Sequence, residues 1–99
     1  MDRNQIPARQ SLWAAWRAFK VQTESGNRMI GFLKTNIKDN EEQIKSLSSM
    51  EPTIERAVTI NSLEQINMTF QQHITNLIDE ENQRAIELER LIGSIYRCP

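Results

Sequence analysis

The chain has 99 residues, of which 38% are apolar and 25% charged, so it allows one domain with a small apolar core. It contains three glycines and three prolines, and Leu and Ile dominate its apolar residues, which argues against an all-β fold. Its net charge of −1 excludes the overall basic footprint of a nucleic-acid-binding protein.

The first predicted helix lies near the amino terminus and combines aromatic with basic residues. Pro7 suits the first turn of a helix, and the prediction runs from Ala8 to about Glu24. A turn is predicted at residues 25–27, where Gly26 would belong to a helix C-cap. These signals define a head helix over residues 1–26. Its candidate partner-binding residues are Arg9, Trp13, Trp16, Arg17, Phe19 and Lys20.

The uneven charge of the chain allows several interpretations of this head helix. Residues 1–34 carry six Lys or Arg against two acidic residues (+4), and residues 35–99 carry six against eleven (−5). The aromatic side chains could fold back onto the other helices, or they could enter a groove on a partner protein, since Trp and Arg are enriched at hot spots. A third interpretation is a basic amphipathic helix on an anionic membrane surface. Nucleic-acid binding ranks last because it needs denser positive charge.

A second helix is predicted from Asn27 to about Ser48, and a break completes its segment at residue 51. Gly31 is a weak point, since glycine costs about 1 kcal/mol relative to alanine inside a helix. Pro52 gives the strongest break in the chain, because it lacks an N–H group and disfavours helix at Glu51. Apolar residues at heptad spacing predict a seam, by which we mean the stripe along which one helix packs on another. In the second helix the apolar seam residues, spaced around Asn40, are Ile30, Leu33, Ile37, Ile44 and Leu47.

Residues 52–99 are predicted to form a short helix over 53–60, joined to or kinked against a long helix that ends near Tyr96. The heptad register of the second helix does not continue into the last one, and Asn61 with Glu64 fits a capping box. At about 1.5 Å per residue the last helix would span roughly 50 Å, more than a compact core of this chain can cover. Its seam residues are Leu63, Asn67, Phe70, Ile74, Leu77, Leu88, Leu91 and Ile95.

Two features of the last helix bear on what it pairs with. Asn67 occupies a seam position, where a single asparagine can set the register and oligomeric state of a coiled coil. A merely tolerated polar residue is the alternative, and both interpretations apply to Asn40 as well. Ile78, Ala85 and Ile92 widen the apolar stripe beyond the needs of a two-stranded coil, which indicates three or more helices along residues 74–95.

The sequence offers little for catalysis. Its one histidine, His73, and its one cysteine, Cys98, lie far apart on the same predicted helix, so they cannot form a nucleophile pair within one chain. A di-metal site in a helical bundle would need Glu three residues before His, and that position is Phe70. A glycine-rich phosphate loop is also absent. We therefore predict no catalytic, cofactor-binding or metal-binding residues, and a protein that is not an enzyme.

These observations predict an all-α protein of one domain with three main helices, either an elongated helical hairpin or a small helical bundle with coiled-coil segments. The predicted function is that of a non-enzymatic coiled-coil subunit or adaptor in an intracellular multiprotein complex, of cytoskeletal, kinetochore or tethering type by architectural analogy only. Its predicted partners are other helical chains, in a homo- or hetero-oligomer. The alternative is a peripheral membrane or SNARE-like protein that uses the head helix as a surface anchor. The lone cysteine, the lack of a signal peptide and the lack of an apolar run of about 18–20 residues predict a cytoplasmic or nuclear location.

Overall fold

The computed structural model describes the backbone of residues 5–97 and the side chains of residues 10–95. Over residues 5–97 the chain forms two α-helices and no strand: α1 spans Gln5–Ser48 and α2 spans Ile54–Arg97, each 44 residues long. The prediction of an all-α fold is confirmed. The prediction of three main helices is wrong, because the boundaries expected at residues 25–27 and near Asn61 both lie inside a helix.

Gly26 continues α1 where the local sequence suggests a stop. None of the described glycines has a positive φ, so Gly26 does not adopt the left-handed conformation of a helix C-cap. The spacing of half-buried residues also runs through it, from Phe19 and Thr23 to Gly26 and Ile30 in steps of four, three and four. Packing along many helical turns therefore outweighs the cost of about 1 kcal/mol for an interior glycine.

Helix α2 begins at Ile54, upstream of the predicted cap at Asn61. The Oγ1 atom of Thr53 accepts a hydrogen bond from the Arg56 N–H at 3.1 Å, and the Thr53 carbonyl accepts one from the Ala57 N–H at 3.0 Å. Thr53 is therefore the N-cap residue of α2. Glu55 lies in the first turn, where a negative charge favours the helix dipole. The heptad registers of α1 and α2 differ because non-helical residues 49–53 separate the two helices. This difference in register had suggested a separate short helix.

Helix α1 ends at Ser48 through a short series of local hydrogen bonds. The Ser49 N–H donates to the carbonyls of Lys45 and Ser46, and the Met50 N–H donates to the Leu47 carbonyl at 3.2 Å. The Ser49 hydroxyl also donates to the Ser46 carbonyl at 2.7 Å. These bonds satisfy carbonyl groups that the end of a helix leaves open. Residues 49–53 then connect α1 to α2.

The contacts of the chain divide it into two compact units. The first, which we call the hairpin unit, is Arg28–Leu77 and contains the connection between the helices. In this unit the two helices run antiparallel, and it holds the two side chains that are buried among those described, Leu33 and Ile74.

The second, which we call the terminal unit, combines residues 5–27 of α1 with residues 78–97 of α2. Phe19 lines a groove together with Leu88 and Leu91, while Gly26 lies next to Arg84. Residue numbers therefore rise along one helix and fall along the other, so the two segments of this unit are antiparallel.

Gly31 provides a test of the continuous helix α1. It is exposed, and a Cβ atom placed on it would meet no other atom within 4 Å. Replacing Gly31 with alanine is expected to raise the free energy of unfolding by about 0.5–1 kcal/mol, because alanine favours the helix and narrows the unfolded ensemble. Urea unfolding followed by circular dichroism measures the change. A loss of stability in Gly31→Ala would contradict a regular helix at this position.

Candidate protein-interaction surface

The predicted seam residues of the hairpin unit lie on the sheltered sides of the two helices. Leu33 is 4% exposed and Ile74 is 2% exposed. The other predicted seam residues of this unit are half-buried: Ile30, Ile37, Ile44, Leu47, Leu63, Asn67, Phe70 and Leu77. Hydrogen bonds from Asn40 and Asn67 cross the seam. In this unit the seam is therefore a contact between two helices of the same chain.

The two asparagines of this seam hydrogen-bond to each other. The Nδ2 atom of Asn40 donates to the Oδ1 atom of Asn67 at 2.9 Å, and the Nδ2 atom of Asn67 donates to the Ile37 carbonyl at 3.4 Å. Both residues are half-buried, and leaving a buried amide without a partner costs about 1–3 kcal/mol. The pair therefore favours the alignment in which Asn40 and Asn67 lie opposite each other.

In the terminal unit the predicted seam residues Leu88, Leu91 and Ile95 are half-buried. Leu88 and Leu91 line an open groove of about 300 Å³, together with Phe19. Ala15, Ala18 and Gln22 of α1 also line the groove. Phe19, which the sequence grouped with the partner-binding residues, therefore lies at the contact between the chain's own helices.

The two tryptophans of the head helix form, with Lys20, an exposed surface that we call the tryptophan ridge. Trp13 is 60% exposed and Trp16 is 41% exposed. Their rings stack with a centroid distance of 5.4 Å and an interplanar angle of 21°. The Nζ atom of Lys20 lies 5.5 Å from the centroid of the Trp16 ring, within the range of a cation–π contact. Each of these side chains restricts the conformations of its neighbour, so binding to a partner would cost little additional side-chain entropy.

Of the two arginines predicted beside the tryptophans, the structure describes the side chain of one. Arg17 is exposed, one residue beyond Trp16 on α1. The backbone of Arg9 belongs to α1, while its side chain lies outside the described residues. The described part of the head helix therefore presents Trp13, Trp16, Arg17 and Lys20, and it directs Phe19 inward.

The sequence interpretation missed a polar layer in the terminal unit. An added Cβ on Gly26 would lie 3.8 Å from the Nη2 atom of Arg84, at ordinary van der Waals distance, so the guanidinium packs beside this glycine. The Thr23 Oγ1 and Arg84 Nε atoms are buried, and neither has a hydrogen-bond partner among the described residues. The continued heptad spacing of Thr23 and Gly26 after Phe19 was the signal that could have identified this layer.

Exposed apolar residues extend well beyond the tryptophan ridge. Among the described side chains, thirteen large apolar ones are between 38% and 85% exposed. Some occur near the connection of the hairpin unit, where Ile54 is 85% and Val58 is 60% exposed. Others follow the two helices, such as Phe32 at 65% and Ile92 at 38%. Exposed apolar surface on this scale, when contiguous, marks protein or membrane contacts.

The described residues show no cluster of three or more His, Cys, Asp or Glu side chains that could hold a metal ion. His73 is exposed and lies in a shallow surface depression with Gln72 and Asn76. Neither described helix has a segment that is both long and apolar enough to cross a membrane. The surface that stands out chemically is therefore the ridge formed by Trp13, Trp16 and Lys20.

The chain matches no protein family, no curated protein and no solved structure.

Proposed function

We propose that the protein is a non-enzymatic helical subunit or adaptor whose exposed apolar surface is covered by helices of partner chains in a multiprotein assembly. The observation that carries this proposal is the contrast between burial and exposure. Two side chains, Leu33 and Ile74, are buried among those described, whereas thirteen large apolar ones remain at least 38% exposed. Additional helices would remove this surface from water, at about 25 cal/mol per Å² of apolar area.

The tryptophan ridge is the strongest candidate for a hot spot in such an assembly. Trp13 is the more exposed of the two rings and stacks on Trp16, which keeps it in one orientation. Tryptophan combines a large apolar area with few rotatable bonds, and it is enriched among residues that dominate binding. Arg17 and Lys20 add positive charge that would favour a partner surface carrying carboxylates.

Capture from cells with the Trp13→Ala variant tests this function. The tagged 99-residue chain is expected to recover a helical protein, or untagged copies of itself, in stoichiometric amount. Trp13→Ala should lower that recovery by more than about tenfold, because truncation of a hot-spot residue costs about 2 kcal/mol or more. Val21→Ala is the matched control, since Val21 lies on the same helix and is 63% exposed. Failure to recover any stoichiometric partner, with a purified chain that sediments as a single chain, would contradict the proposal.

The alternative function is a peripheral membrane or SNARE-like role in which the tryptophan ridge lies on an anionic membrane. The exposure of Trp13 beside Lys20 and Arg17 favours it, because aromatic and basic side chains together suit the headgroup region. Flotation with vesicles that contain or lack phosphatidylserine distinguishes the two functions. Binding that requires the anionic lipid and is lost in Trp13→Ala would support the membrane role.

A further inference from the structure

We propose that one side of the terminal unit, which we call the tryptophan face, binds the same face of a second copy of this chain. The inference rests on the proposed function and names the partner at this surface. The face comprises Trp13, Trp16, Arg17 and Lys20 on α1 with Ala85, Glu89 and Ile92 on α2.

The heptad positions place these residues on one side of the terminal unit. Trp13 and Lys20 directly follow Leu12 and Phe19, which are half-buried and lie seven residues apart on α1, and Ile92 directly follows the seam residue Leu91. In an antiparallel pair of helices, the residues that follow such seam positions flank the same side of the contact. The exposed residues of both helices therefore form one continuous face.

The face carries two complementary halves. Around Trp16 its α1 half presents aromatic rings and the positive charges of Arg17 and Lys20, with Glu24 seven residues after Arg17, while its α2 half presents the apolar Ile92 and the negative charge of Glu89. Phe19 and Leu88 line the same groove, so Arg17 and Glu89 lie at nearly the same level along the helices. A two-fold axis parallel to the helices would then place α1 of each copy on α2 of the other.

This arrangement pairs the aromatic and charged residues of the α1 half with apolar and oppositely charged residues of the α2 half. The tryptophans of one copy meet Ile92 of the other, and Arg17 with Lys20 meets Glu89. Each contact occurs twice, as an isologous interface requires. An anionic membrane would attract Arg17 and Lys20 but repel Glu89, so charge complementarity favours the second copy as the occupant.

A charge swap tests the proposal. Sedimentation equilibrium of the purified 99-residue chain is expected to show a reversible dimer. Arg17→Glu and Glu89→Lys should each weaken the dimer about tenfold, since each reversal creates two like-charge contacts. The double variant Arg17→Glu/Glu89→Lys restores the two opposite-charge contacts between positions 17 and 89 but leaves Lys20 facing a positive charge, so its dimerisation constant should lie between those of the single variants and that of the original chain.

Asp79→Lys and Arg90→Glu are the controls, because both residues are exposed in the terminal unit at heptad positions outside the tryptophan face. They reverse charge by the same amount and should leave dimerisation unchanged, and circular dichroism checks that every variant keeps its helix content. Equal effects of the controls and the face variants, or a double variant as weak as the singles, would overturn the proposal. A chain that stays single at every concentration and yet captures a different helical protein would also overturn it, while leaving the proposed function intact.

Discussion

Replacing Ile74 with alanine is expected to lower the free energy of unfolding by about 2–5 kcal/mol. Ile74 is 2% exposed and belongs to the small set of fully buried side chains, so the truncation leaves a cavity where the hairpin unit is best packed. Small domains have total stabilities of about 5–15 kcal/mol, so this single change would remove a large share. Urea unfolding monitored by circular dichroism measures the loss at a fixed chain concentration.

The same substitution at Ile54 is the control for Ile74→Ala. Ile54 is 85% exposed, so Ile54→Ala removes the same atoms without forming a cavity and should change the free energy of unfolding by less than about 0.5 kcal/mol. Equal losses at both positions would show that Ile54 is as well covered in solution as Ile74. Equally small changes at both would contradict the packing of Ile74 in the hairpin unit.

Replacing Asn67 with leucine is expected to destabilise the hairpin unit, whereas replacing Asn40 and Asn67 together is expected to be neutral or stabilising. The single change removes the acceptor of the Asn40 Nδ2 group, which then stays half-buried without a partner at a cost of about 1–3 kcal/mol. The double change replaces both polar groups with apolar ones and leaves none unsatisfied. Urea unfolding of the original chain, the two single variants and the double variant gives the coupling energy, which we expect to reach about 1 kcal/mol or more.

The double variant should also lose uniqueness of pairing. Without the asparagine pair, a seam of leucine and isoleucine tolerates slipped alignments and additional helices. Extra peaks in an amide NMR spectrum, or a broad distribution in sedimentation, would reveal this loss. A double variant with one set of sharp peaks and an unchanged sedimentation coefficient would show that the asparagines do not specify the alignment.

Local pattern was sufficient for the helical class, and it failed where long-range pairing decided the outcome. The Leu and Ile spacing that indicates helix coincides with the less exposed side of α1 and α2. Gly26 and Asn61 carry good local signals for helix boundaries, yet each lies inside a helix because the seam continues past it. The energy gained along a 44-residue helix is spread over many turns, and no local window contains it.

The candidate site shows the same division between local and long-range information. Sequence spacing identified Asn40 and Asn67 as polar seam positions, but their mutual hydrogen bond depends on how two distant segments align. The place of Arg84 beside Gly26 depends on a similar pairing. The grouping of Phe19 with the tryptophans followed from their proximity in sequence, whereas helix geometry turns Phe19 towards Leu88 and leaves Trp13 exposed.

The short connection between Ser48 and Ile54 sets the order in which the helix contacts can form during folding. Residues 49–53 form a short loop that brings the nearest parts of α1 and α2 together, so the entropic cost of closing it is small. Such loops close on a timescale of nanoseconds to microseconds. Asn40 and Asn67 are separated by 27 residues, whereas Phe19 and Leu88 are much farther apart along the chain. We therefore expect the helix contacts nearest the connection to form first, followed in order by those closer to the chain ends. Substitutions near the connection should mainly slow folding, and those in the terminal unit should mainly speed unfolding.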